Sequence, residues 1–102
     1  MDLISAKHQK EIDGTQPVFQ LEEDVHELLL VAAKPRKKFP VINKIDNYYA
    51  DNVILFGELD SFKKELDLIA NNDDCKQLNI KNLLIFIDKA IWGKNNLYVL
   101  AD

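Results

Sequence analysis

The side chains that carry most enzyme chemistry are few in this chain. His8 and His26 are its two histidines, and neither has a cysteine or a second histidine at ligand spacing. A zinc site needs three or four converging ligands, so no metal is expected, and both histidines are expected to be exposed and structurally neutral. Ser5 and Ser61 lie outside any G-x-S-x-G elbow. Cys75 is the single cysteine, which excludes an internal disulfide. It is read as a plain thiol, because a nucleophilic one needs a lowered pKa and a partner histidine. Gly14, Gly57 and Gly93 are isolated, so no glycine-rich loop can cradle a phosphate. Asp73 and Asp74 sit in a polar turn, "NNDDC", without the alternating pattern of a calcium loop. No catalytic residue, metal or cofactor is named, and the chain is expected not to be an enzyme. A small enzyme of unknown reaction stays as an alternative, whose mark would be a pocket joining His26 to Cys75 or to an acid pair.

Charge and aromatics offer more. Glu22, Glu23, Asp24 and Glu27 crowd one stretch, where carboxylates favour the positive end of a helix dipole. "KIDNYYADN" sets Tyr48 and Tyr49 between Asp46 and Asp51. In the opposite sense, Lys34, Arg36, Lys37 and Lys38 lie within five residues, "KPRKK". This run is either a solvated loop or an anion contact. Net charge is −4, and outside that run nine basic residues face seventeen acidic ones. Phosphate contacts dominate nucleic-acid affinity, so such a chain is unlike a general nucleic-acid binder and better suited to a basic partner. No aromatics interleave the basic run, so no base-stacking platform is indicated. Trp92 and Tyr98 are divided between core and interface roles, the core being the commoner fate.

These groups must be positioned by elements whose period is legible. "LISAK", Leu3–Lys7, is a strand candidate, followed by the hairpin signal Asp13-Gly14 and a second arm over Thr15–Phe19. Pro17 cannot donate to a ladder and belongs at an edge or strand end. Val25, Leu28, Leu29 and Ala32 mark a first helix over Glu22–Ala33, stopped by Pro35. Pro40 opens a second helix. Its stripe, Val41, Ile42, Ile45, Tyr48 and Tyr49, carries it to Tyr49 or Ala50. That phasing makes Tyr49 a core anchor, sets Tyr48 at the edge of the stripe and points Asp46 and Asn47 outward. "NVILF", 52–56, is an extended segment or a brief strand. A third helix over 58–70 buries Leu59, Phe62, Leu66 and Ile69, with Lys63, Lys64, Glu65 and Asp67 outside. A fourth over 76–92 buries Ile80, Leu84, Ile87 and Ile91, with Gly93 as a left-handed stop. "NNLYVLAD" is a final strand with Leu97 and Val99 on one face and Tyr98 and Leu100 on the other.

The fold class is therefore α+β: a small antiparallel sheet from an N-terminal hairpin and a C-terminal strand, packed on about four helices. At 102 residues, 47% hydrophobic, residues 1–102 read as a single domain that needs no disulfide or metal to fold. No apolar run reaches 18 residues, so no membrane span is expected. The opening "MDLISAKHQKEID" has no basic stretch leading into a long apolar one, so no secretory signal is expected. With the lone cysteine, that points to the cytoplasm. Oligomeric state is left open.

Phe39, Pro40, Val41, Ile42, Tyr48, Tyr49, Asp51 and Glu58 form a pattern that resembles a group of small uncharacterised bacterial proteins. Those run Phe-Pro, aliphatics, a basic residue, then Asp-Tyr-Tyr, one residue and Asp. Asn47 stands here in place of the first aspartate. The Asp-Gly turn and the final "LYVLAD" are similar too. Some of that group look like immunity proteins, which neutralise secreted bacterial toxins, and the resemblance implies that role. The expected function is a non-enzymatic protein-binding module, with a basic toxin as its sharpest partner. Glu22, Glu23, Asp46, Tyr48 and Asp51 are its candidate contacts, with Tyr49 as the alternative aromatic. The alternative to a protein partner is nucleic-acid or anion binding through Lys34, Arg36, Lys37 and Lys38.

Overall fold

The two ends of the chain pair with each other. β1 (Asp2–Ala6) lies between β2 (Val18–Gln20) and β4 (Asn96–Leu100), and β3 (Asn52–Ile54) flanks β4. The antiparallel sheet thus runs β2-β1-β4-β3. A computed structural model describes residues 1–71 and 80–101. Leu3 faces Val99 and Ser5 faces Leu97 across the central pair, while Ile54 meets Leu97 from the edge. All five are buried, because side chains two apart share one face of a strand. Leu97 and Val99 point inward and Tyr98 and Leu100 do not, as their alternation predicts. Helices α1 (Glu23–Ala32), α2 (Pro40–Lys44), α3 (Leu59–Ala70) and α4 (Lys81–Trp92) supply the rest of the core. The architecture is α+β, and "NVILF" contributes a fourth strand.

α3 keeps its expected stripe, with Leu59, Phe62, Leu66 and Ile69 all buried. Glu65 departs from its expected outward position: it is only 5% exposed. Its carboxylate accepts from Val41 N–H (3.1 Å to each oxygen) and from Ile42 N–H (3.0 Å). Those are first-turn N–H groups of α2, which have no partner within their own helix. Pro40 supplies none, so one side chain of α3 caps all that α2 presents there. Burial pushes the Glu65 carboxyl up, against the lowering effect of the two backbone hydrogen bonds.

On α4 the buried face is carried by Leu83, Phe86, Ile87 and Ala90, while Leu84 and Ile91 are half-buried. The stripe is rotated from the expected one because Phe86 and Ala90 join it. Phe86 packs on Phe19 of β2, ring centroids 5.8 Å apart. The expected start of this helix, residues 76–79, lies outside the described residues, as do Asp73, Asp74 and Cys75. Gly93 is not the left-handed stop, since its φ is −80° and Lys94 takes the positive φ of 55°. Space is what Gly93 supplies: a Cβ there would fall 2.9 Å from Asn95 Nδ2. That amide donates to Ser5 Oγ on β1 (3.0 Å).

The link from β1 to β2 is longer than a two-residue hairpin. Asp13 Oδ1 accepts from Thr15 N–H (3.1 Å) and from the Thr15 hydroxyl (2.6 Å), an Asx turn. Only Gly14 has positive φ (94°), whereas a type I′ turn needs it at both central residues. β2 accordingly begins at Val18, just after Pro17, on the sheet edge where proline is tolerated.

Candidate functional site

The site begins where α2 stops. A helix continuing to Tyr49 would send the Tyr48 and Tyr49 N–H groups to the carbonyls of Lys44 and Ile45. Other donors meet both carbonyls. Asn52 Nδ2 donates to Lys44 O and His26 Nε2 to Ile45 O, each at 2.6 Å. Tyr49 N–H turns to Asn47 Oδ1 (3.0 Å) and Ala50 N–H to Asn47 O (3.2 Å). An asparagine side chain that substitutes for backbone favours a turn over a helix. The second helix therefore ends at Lys44, five or six residues short of its expected limit at Tyr49 or Ala50.

This reverses the two tyrosines. Tyr49, expected as the core anchor, is 69% exposed, and Tyr48 is the half-buried one. The Tyr48 hydroxyl donates to Leu21 O (3.2 Å) and accepts from the Met1 ammonium (3.1 Å). Its ring meets His26 edge-on at 5.2 Å, and Tyr49 stands against it at 5.4 Å and 85°. The Tyr49 hydroxyl donates to Glu23 Oε1 (3.1 Å). That hydrogen bond, and then the charge of Glu23, hold the Tyr49 phenol above its ordinary value, so it stays a donor.

His26 is also corrected: it is buried, with 4% exposure, and not a neutral surface residue. A carbonyl can only accept, so the ring nitrogen facing Ile45 O carries a proton. In the neutral ring Nδ1 is then an acceptor. The His26 side chain has no second hydrogen bond. Among the described residues no buried side-chain nitrogen or oxygen lacks a partner. Nδ1 therefore opens into the groove that His26 lines.

That groove is open and holds about 600 Å³. One wall is α1, through Glu23, Glu27 and Leu30, residues at i, i+4 and i+7 on one helix face. The other is the turn from Asp46 to Tyr49. Three carboxylates thus surround two tyrosine rings and an imidazole acceptor. At the rim, Arg36 Nη2 reaches Asp46 Oδ2 at 3.1 Å.

No protein-family model, curated protein or solved structure matches the chain. What the groove can do is set by its own chemistry. It is rich in acceptors and aromatic faces, and its formal charge is negative. Such a surface attracts cationic groups that carry several N–H donors.

Of the five expected contacts, Glu23, Asp46 and Tyr48 converge here. Glu22 is the residue before α1, exposed and outside the groove, and its carbonyl accepts from His26 N–H (2.9 Å). Asp51 is elsewhere: its carboxylate accepts from Ala101 N–H (2.8 Å). It lines a smaller cavity of about 280 Å³ with Gln9, Asn52, Val53, Tyr98 and Leu100. Glu27 and Leu30 were missed as site residues, although the i, i+4, i+7 spacing of Glu23, Glu27 and Leu30 is in the sequence; His26 enters the expectations only as the mark of an enzyme pocket, and it shares this groove with Glu23 and Glu27. Lys34, Arg36, Lys37 and Lys38 are all exposed, the last three on a single 3₁₀ turn, and Arg36 is drawn to Asp46. Among the described residues no group of three His, Cys, Asp or Glu side chains could hold a metal ion, and no helix is long and apolar enough to cross a membrane.

Proposed function

We propose that the chain is a non-enzymatic module that binds another protein through the groove between α1 and the turn at 46–49. The observation that carries this is the gathering of Glu23, Glu27 and Asp46 around the Tyr48–Tyr49 pair. A carboxylate cluster alone would be a solvated surface. Here it rims an open cavity with an exposed tyrosine, a side chain favoured at binding hot spots. The partner is basic at the contact, since complementary charge speeds encounter and rejects wrong partners. In its sharpest form the partner is a basic bacterial toxin and the chain its immunity-type inhibitor, acting in the cytoplasm.

The test is co-production with the product of the adjacent gene, followed by calorimetry on the purified pair. The wild type is expected to bind with an affinity that falls as salt rises, because the contact is charged. The double variant Glu23→Lys, Glu27→Lys should weaken binding more than about tenfold, which is about 1.4 kcal/mol, while keeping the fold. A complex indifferent to both salt and charge reversal would sink the groove as the contact. Absence of any complex would remove the immunity form.

A second reading has its own observation: His26 Nδ1 opens into a groove that also holds Glu23 and Glu27, an acid–base grouping. Neither Ser5 nor Ser61 lines that groove, and this reading takes water as the nucleophile. A hydrolytic activity abolished by Glu23→Gln and Glu27→Gln would favour this enzyme over the binding module.

A further inference from the structure

We propose that the groove recognises a guanidinium, an arginine side chain presented by the partner, and not cations in general; this rests on the protein-binding role of the same groove. His26 is the observation beyond the carboxylates. It is a buried side chain that lines the cavity, whose Nε2 is committed to Ile45 O and whose Nδ1 makes no hydrogen bond within the chain. Glu23, Glu27 and Asp46 add acceptors from both walls, and although Glu23 already accepts from the Tyr49 hydroxyl and Asp46 from Arg36, each carboxylate can take further donors. A guanidinium offers five N–H donors in one plane, enough to reach acceptors on both sides at once. An ammonium is a compact, strongly hydrated point charge, poorly matched to a cavity of about 600 Å³. The tyrosines add a face: Tyr49 is exposed and stands at 85° to Tyr48, a corner on which a planar cation can stack. The chain supplies its own example. Arg36, its sole arginine, already sits on Asp46 at the rim, at 3.1 Å. An incoming arginine competes with Arg36 for that carboxylate.

The probes are three capped tripeptides, Gly-X-Gly, with X arginine, lysine or citrulline, titrated at millimolar concentrations into the full chain. The His26 and Tyr49 ring resonances are followed by NMR. The arginine peptide is expected to shift both rings and to bind at least fivefold more tightly than the lysine peptide, with no binding by the uncharged citrulline. Arg36→Gln should tighten the arginine peptide severalfold by releasing Asp46, and failure to tighten it overturns the contact with Asp46. Equal binding by lysine and arginine overturns the guanidinium preference and leaves a cation-binding groove standing. Citrulline binding as well as arginine, or no ring shift with any peptide, overturns the groove as a cation site, and the protein-binding role assigned to it falls too.

Discussion

Tyr48 and Tyr49 are adjacent in sequence, yet one should matter to folding and the other to binding. Complete removal of a buried aromatic ring costs about 3–5 kcal/mol. Tyr48 is half-buried against His26, so its ring accounts for a part of that. Its hydroxyl adds a hydrogen bond to Leu21 O and another from the Met1 ammonium, each worth about 1 kcal/mol net. Tyr48→Phe, which removes both of these hydrogen bonds, is expected to destabilise by about 2 kcal/mol, and Tyr48→Ala, which also removes the half-buried ring, by about 3–4 kcal/mol. Tyr49 has an exposed ring and a hydrogen bond to Glu23 that water can replace. Tyr49→Ala should stay within about 0.5 kcal/mol of wild type. Urea unfolding followed by circular dichroism measures all three, provided the slope with denaturant is unchanged. In binding the order should reverse, with Tyr49→Ala weakening the partner without loss of stability. If Tyr49→Ala proves as destabilising as Tyr48→Ala, the turn at 46–50 is wrong and a helix through Tyr49 is right.

Glu65→Ala should cost about 3 kcal/mol or more in thermal unfolding, because it strands two buried N–H groups of α2; Glu65→Gln keeps an acceptor and should cost clearly less. The native state holds the Glu65 proton more tightly than the unfolded chain does. The stability of wild type minus that of Glu65→Gln should therefore rise as pH falls through the raised value, and a flat or falling difference would refute the burial argument. Glu58 has the opposite sign: its hydrogen bond from Lys44 lowers its carboxyl, so its stabilisation is present above the unfolded value and lost on acidification, which Glu58→Gln should abolish. Trp92 is 90% exposed, so iodide should quench its fluorescence freely in the native state, and Trp92→Ser should change stability by less than about 0.5 kcal/mol.

The helices that carry a long apolar stripe were legible because burial there repeats a period. α3 is the clearest case: Leu59, Phe62, Leu66 and Ile69 need no knowledge of their neighbours to be placed. Glu65 was not legible, although it lies on the same helix. A glutamate on an amphipathic helix reads as solvent-facing. Its burial follows only from a fact of tertiary structure, that α2 begins beside it with two N–H groups and no cap of its own. Likewise the Asp13-Gly14 pair does turn the chain, but the sequence could not say that β2 would wait until Val18.

The groove was half legible for a related reason. Charge is additive and visible residue by residue, so Glu23 and Asp46 could be picked out. Placing Tyr48 and Tyr49 required knowing where α2 ends, and periodicity favours a longer helix because Val41, Ile42, Ile45, Tyr48 and Tyr49 fit one stripe. The stop depends on two distant side chains, Asn52 at Lys44 O and His26 at Ile45 O. His26 thereby links fold and site: one ring nitrogen meets the Ile45 carbonyl, which an extended α2 would use, and the same ring lines the groove. His26→Phe tests that link. It keeps the ring's bulk but frees the Ile45 carbonyl to accept from Tyr49 N–H, so α2 should lengthen toward Tyr49. Carbon chemical shifts of residues 45–49 would move toward helical values if the link holds, and would stay unchanged if Asn47 alone holds the turn.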